Sequence, residues 1–261
     1  MPRSFDFTHA LLRRPGLSAV KGLRAGPGPD PVYTGLLAEH AAYAAALAAA
    51  GLEVTVLEPL ESHPDSLFVE DPALVFREAA ILLRPGAPSR ADEAEYLRGA
   101  LAQRFAQVLE LTEGHADGGD VLAMPGRVFI GLSARTDRSG AESLARLLDQ
   151  LGYRAEIVEA PPGVLHLKTA SSLVDEETVL ATAALAASGI FAGYRVLEVP
   201  AGEEGGANVL RVRESLLVGE GYPAIAELLS GRSAEVVTLA NREIAKIDAG
   251  LTCMSLRWRE G

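Results

Sequence analysis

The sequence holds one thiol, Cys253, in the segment KIDAGLTCMSL. A thiolate is a strong nucleophile, but it needs a partner to handle protons, and the fold rather than the sequence brings that partner close. The other reading of a lone cysteine among apolar residues is a small buried hydrophobe. Of the five histidines, His9, His40, His63 and His115 stand in polar or helical settings and are expected at the surface. His166, in VLHLKT, stands between apolar residues at the start of a strand. There it is either a satisfied core residue or a general acid/base. Asp117, in HADGGD, is a candidate to accept the second N–H of such a histidine, as in a triad.

Carboxylates and guanidiniums form a second set. Glu70 and Asp71 sit together in FVEDP, and Asp65 lies six residues before Asp71. Acidic clusters are often solvated turns. This one is flanked by Leu67, Phe68, Val69 and Pro72, which suggests partial burial, and buried carboxylates need cationic partners. A bound guanidinium or ammonium group would supply one. Arg90 and Arg135 each stand just before an expected helix. They read either as solubilising surface residues or as a two-arginine clamp, because the guanidinium fork matches a carboxylate. His115, Asp117 and Asp120 offer metal-ligand types, but their glycine run reads as a turn, and no metal is expected. GLSAR lacks the second glycine of a nucleophile elbow, and no P-loop, HExxH or dinucleotide-binding spacing occurs.

The elements that must position these residues alternate strand and helix. Strands are expected at 5–12, 52–57, 153–158, 194–199 and 235–238. Hairpins are expected at 73–83, around Arg77–Glu78, and at 119–131, turned at Pro125–Gly126. Two more lie at 172–181 and 208–218. Helices are expected at 33–50, 91–105, 139–151 and 224–230, with Gly51 and Gly152 as C-caps. A polar residue introduces each repeat of this pattern: Asp71, Asp117, His166, Asn208 and Cys253, at intervals of 46, 49, 42 and 45. Four similar intervals imply five modules. A closed ring suits them, with the last strand pairing with the first so that no edge stays open and the anchors converge on the axis. The competing arrangement is an ordinary α/β sheet with accidental spacing.

Composition narrows the function class. In 261 residues, 24 Lys and Arg against 35 Asp and Glu leave a net charge of −11. That argues against nucleic acid and anionic membranes, and suits a small cation. One cysteine excludes an internal disulfide and cysteine-rich metal sites. No apolar run is long enough for a signal peptide or a membrane span, so a cytoplasmic protein of one domain, 1–261, is expected.

The blocks DSLFVEDPALV, LLRPGAPSR, DGGDVL, FIGLSARTDRSGAE, VLHLKT and KIDAGLTCMSLRW resemble the dimethylarginine dimethylaminohydrolases, from about His9 to Trp258. The resemblance implies the guanidine-modifying (pentein) fold, a five-bladed α/β propeller of ββαβ modules. It implies a C–N hydrolase that releases dimethylamine or methylamine from Nω-methylated arginine and forms L-citrulline through an S-alkylthiouronium on Cys253. By the same resemblance His166 is the general acid/base and Asp117 its support, where some relatives have Glu. Asp71 and Glu70 hold the guanidinium, and Asp65 with the carbonyl of Leu23 holds the α-amino group. Arg90 and Arg135 clamp the carboxylate, and the carbonyl of Ile247 lies near the reacting end. No cofactor is implied, and a homodimer is left open. The acidic groups Glu70, Asp71 and Asp117 are expected to disfavour a thiolate until a cationic substrate arrives. The alternatives are arginine deiminase or another guanidine hydrolase, a non-catalytic ring protein such as a ribosome-binding factor, and an amino-acid-binding module.

Overall fold

The computed structural model describes residues 3–232 and 234–260. Its fifteen strands form five three-stranded sheets. In chain order they are β1 (His9–Arg13), β2 (Glu53–Leu57), β3 (Ala73–Val75), β4 (Ala80–Leu82) and β5 (Val108–Glu110). Next come β6 (Val121–Met124), β7 (Arg127–Leu132), β8 (Ala155–Glu159), β9 (Ser171–Asp175) and β10 (Thr178–Ala181). The last are β11 (Arg195–Glu198), β12 (Leu210–Val212), β13 (Ser215–Gly219), β14 (Glu235–Leu239) and β15 (Leu256–Trp258). The helices are α1 (Tyr33–Ala49), α2 (Glu95–Ala102), α3 (Arg138–Gln150), α4 (Ala183–Ala187), α5 (Pro223–Leu229) and the short α6 (Arg242–Ala245).

Each sheet follows one rule. The first strand is antiparallel to the second, and the second is parallel to the third, with a helix in the crossover. The remaining sheet is made from both ends of the chain. Strand β15 pairs antiparallel with β1 (His9 opposite Trp258), and β1 pairs parallel with β2. The expected closure of last strand on first is therefore present. Burial follows position. Middle strands such as β4 and β10 are buried throughout, whereas the outer strands β2 and β14 each keep exposed residues and bury none fully.

The apolar clusters show why the sheets close on one another. Each cluster is shared by two neighbouring modules. Leu11 and Leu256 pack with Leu82 and Leu97, Ile81 with Val121 and Ile130, and Phe129 with Val179. Leu180 then packs with Leu216 and Val218, and Leu217 packs back against Leu12 and Leu36. Five clusters thus run once around the molecule and return to the start. No module can bury both of its faces alone, so burial favours the complete ring.

Boundaries differ from the sequence reading at the ends. Residues 5–8 precede β1 instead of extending it, and α2 begins at Glu95 rather than Ala91 because Pro88–Arg90 forms a separate 3₁₀ turn. Helix α3 starts where Asp137 caps it, its side chain accepting from Gly140 N at 2.7 Å. Three of the expected surface histidines are buried. His9 stacks on Trp258, and His63 bonds Asp92 at 2.9 Å and Ser62 at 2.8 Å. His40 lies on the inner face of α1, where burial pushes its pKa down to about 4 and keeps it neutral. Only the setting of His115 matches the expectation.

Candidate active site

The five anchors lie at the entries to the inner strands. Asp117 and His166 precede the 3₁₀ turns Gly118–Asp120 and Leu167–Thr169, and Cys253 lies within Thr252–Met254. A tight turn ahead of an inner strand points its polar residue at the end of the ring axis. Asp71, Asp117, His166 and Cys253 there line one cavity, together with Leu23, Asp65, Phe68, Arg90, Arg135, Leu165 and Ile247. Asn208 serves from behind. Its Nδ2 donates to Thr252 Oγ1 (3.0 Å) and Lys168 O (2.8 Å), and its Oδ1 accepts from Thr252 N (2.9 Å). It fixes the turn that carries the cysteine.

Asp71 is buried between two donors. Oδ2 accepts from Arg90 Nη1 at 2.6 Å and Oδ1 from Gly119 N at 3.1 Å. Burial alone would raise its pKa, but Arg90 and His166 outweigh it and hold the carboxyl below the usual range. Arg90 is almost fully committed. It also donates to Glu93 at 2.8 and 3.0 Å and to the carbonyls of Asp65 and Phe68. The two arginines of the expected clamp are thus unequal. Arg135 is half-buried, and its guanidinium makes no hydrogen bond or ion pair among the described residues. Asp65 accepts from Leu23 N at 2.9 Å, and burial first of all raises its pKa.

Glu70 does not line this cavity. Glu70 and Asp71 both lie in the turn before β3, and there Glu70 faces behind the cysteine turn while Asp71 faces the site. Its Oε2 accepts from Thr252 Oγ1 at 2.8 Å, and its Oε1 pairs with Lys168 (2.7 Å) and Arg257 (2.9 Å). The direct contact with a guanidinium expected of Glu70 is replaced here by a salt-bridged floor.

His166 Nε2 stands 3.4 Å from Asp117 Oδ2, an ion-pair distance without the geometry of a hydrogen bond. Asp117 Oδ1 accepts from Gly86 N at 2.7 Å, which fixes the carboxylate. Burial lowers the imidazole pKa. Asp117, then Asp71 and Asp120, overcome it and push it up to about 9. Burial and then the charges of Glu70 and Asp71 push the Cys253 thiol up to about 12. Both shifts favour a neutral thiol beside an imidazolium. Oxygen and nitrogen atoms of Asp71, Asp117 and His166 come within 4.8 Å of one another, close enough for a cation. Arg90 and the imidazolium already supply positive charge there, and the set works better as a proton-handling cluster.

Sequence reasoning weighed Asp120 only as a metal ligand and set it aside. It is fully buried, and its oxygens accept from Ser133 Oγ (2.6 Å), Thr136 Oγ1 (2.7 Å) and Leu167 N (3.0 Å). It therefore joins the loop of Arg135 to the turn of His166. The signal was present in DGGD, where only Asp117 was given a role at the site. Gly119 has a steric reason: a Cβ there would lie 2.6 Å from His166 Nδ1 and 2.9 Å from Asp71 Oδ1. Nothing in the sequence marked Lys168 and Arg257 as partners of Glu70, because the three come from different modules.

Known proteins resemble this chain over most of its length. The family described as arginine deiminase matches residues 32–203. The N(G),N(G)-dimethylarginine dimethylaminohydrolase of Pseudomonas aeruginosa is 34% identical over 97% of this chain and 100% of its own length. The enzyme of the same name from Streptomyces coelicolor is 37% identical over 96% of this chain and 97% of its own. A crystal structure of the P. aeruginosa enzyme, a cysteine-to-serine variant complexed with citrulline, superposes with a TM-score of 0.93 at 33% identity, covering 97% of this chain and all of that one.

Proposed function

The chain belongs to the dimethylarginine dimethylaminohydrolase family, and on that premise we propose that it hydrolyses Nω-methylated arginines to L-citrulline, releasing dimethylamine or methylamine. The observation that carries this reading is the joint lining of one cavity by Cys253, His166, Asp117 and Asp71, with Arg135 unpaired beside them.

The substrate lies with its guanidinium toward Asp71 and its α-carboxylate on Arg135, assisted by the one Nη1 hydrogen that Arg90 keeps free. Asp65 and the carbonyl of Leu23 take the α-amino group, and the carbonyl of Ile247 faces the reacting end. Opposite charges at the two ends fix the amidine carbon near sulfur, within the roughly 3–3.5 Å that attack requires. Keeping the guanidinium protonated against Asp71 keeps its carbon electrophilic.

The arriving cation lowers the thiol pKa, and the thiol proton passes to solvent. Sγ then bonds to the amidine carbon, and the C=N electrons move to nitrogen. His166, charged at neutral pH, donates its proton to the methylated nitrogen, and the C–N bond breaks with release of the amine. An S-alkylthiouronium remains on Cys253. The now neutral His166 takes a proton from water, whose oxygen attacks the same carbon. The C–S bond breaks and the remaining hydroxyl proton passes to solvent, leaving citrulline and the thiolate. These steps use protein side chains and water only. Net charge and chemistry suit a cytoplasmic enzyme acting on a small cation.

The test is incubation with asymmetric dimethylarginine, monomethylarginine and arginine, with released amines and ureido products identified. Dimethylamine with citrulline is expected, and Cys253→Ser abolishes both. No citrulline from any guanidine overturns the reading. The match to the arginine deiminase family favours a second reading, deimination of free arginine. Ammonia from arginine in preference to the methylated substrates selects it.

A further inference from the structure

A second and larger cavity, about 350 Å³, follows the ring axis on the other side of the cysteine turn. All five inner strands contribute to its wall, through residues such as Leu74, Met124, Leu173, Leu210 and Trp258. The candidate active site lies at the entries of these strands. This cavity runs along them and is lined as well by Arg77 and Arg259, which stand just past the exits of β3 and β15. Glu70, Lys168, Arg257 and Thr252, bonded to one another behind the cysteine turn, line this cavity and not the front one. The size falls in the range of pockets that hold small organic ligands.

The charge of this cavity runs against that of the chain. Arg3, Arg77, Lys168, Arg211, Arg257 and Arg259 line it, against the carboxylates of Asp6 and Glu70. Glu214, outside the wall, adds one more negative charge through Arg3 and lies 3.7 Å from Arg211. Cations remain in excess, although the whole protein carries −11. Two of these cations, just past the strand exits, have little or no partner. Arg77 is exposed and has no ion pair among the described residues, and Arg259 reaches only Asp6, at 3.9 Å. On the floor Glu70 offsets one of the two charges of Lys168 and Arg257. The walls between are mainly aliphatic. A ligand that fits must therefore bury an apolar body inside and leave an anionic head at the mouth.

We propose that this back cavity is a binding site for a free amphipathic carboxylate, its alkyl chain along the inner strands and its carboxylate on Arg77 and Arg259. The proposal does not depend on which guanidine the front site hydrolyses.

Trp258, the one tryptophan of the sequence, lines the cavity and reports on it directly. The experiment titrates the intact protein with decanoate, following Trp258 fluorescence and equilibrium dialysis together. Decyltrimethylammonium is the charge-reversed control, and vesicles of anionic phospholipid are the surface control. Saturable decanoate binding is expected. It should weaken at least tenfold in the exposed double variant Arg77→Glu/Arg259→Glu and persist in Arg135→Ala, which leaves the back cavity intact. Methylarginine turnover by the double variant should remain at the parent level, which confirms its fold. Four results overturn the proposal: no saturable binding, equal binding of decyltrimethylammonium, binding to vesicles but not to free decanoate, or loss in Arg135→Ala with retention in the double variant.

Discussion

The protonation state of the empty site can be tested by titrating Cys253 with and without a cation. Burial, Glu70 and Asp71 push the thiol up to about 12. At about pH 8 the thiolate fraction is then roughly one in ten thousand. A unit positive charge about 4 Å from sulfur is worth about 4 kcal/mol at an effective dielectric near 20. That equals about three pKa units, and it brings the thiol to about 9 and the thiolate fraction to about one in ten. A small inert amidinium such as acetamidinium, bound against Asp71, should therefore raise the thiolate population roughly a thousandfold. The assay is thiolate ultraviolet absorbance against pH, with the Cys253→Ser protein subtracted, in the presence and absence of the amidinium. Asp71→Asn should lower the thiol pKa of the empty enzyme, because one of the repelling charges is removed. An equally low thiol pKa with and without the cation refutes the reasoning. So does a full thiolate signal in the empty protein at about pH 8, which would mean that the imidazolium of His166 governs the sulfur and the carboxylates do not.

Further outcomes follow from neighbouring contacts. Asp117→Asn removes the leading contribution that lifts His166 to about 9 against its burial. The protonated acid is then lost at lower pH, so the alkaline limb of the kcat profile should move down, with kcat falling about 10²- to 10⁴-fold. An unchanged limb would show that Asp117 does not set the histidine. Arg135→Ala should raise KM about tenfold to hundredfold with a much smaller change in kcat, the loss of a charge-assisted bond at the unreactive end. A loss confined to kcat counts against that placement. Gly119→Ala inserts a methyl at 2.6 Å from His166 Nδ1, so turnover should fall at least about tenfold without unfolding. Its control is Gly99→Ala in α2, where a Cβ meets nothing within 4 Å and a helix gains about 0.5–1 kcal/mol, read as a higher Tm with unchanged turnover.

Much of this molecule was legible in its sequence, because local signals carry it. The near-regular recurrence of Asp71, Asp117, His166, Asn208 and Cys253 exposed the five modules, and β-branched runs and glycine stops marked the strands and helices between them. The identity of nine cavity-lining residues, from Leu23 to Cys253, was also legible, through segments whose order and spacing resemble one family. Those signals are short-range or positional, and a linear chain records them. The tertiary structure alone decided three other matters. It turned Glu70 away from Asp71, because Lys168 and Arg257 from distant modules meet it behind the cysteine turn. It bound Arg90 to Asp71 and Glu93 and left Arg135 open, so two similar arginines became unequal. It also buried His9, His40 and His63, which looked polar in sequence. Each depends on which groups approach through space and on how much water they lose, and a sequence of residue types does not contain those distances.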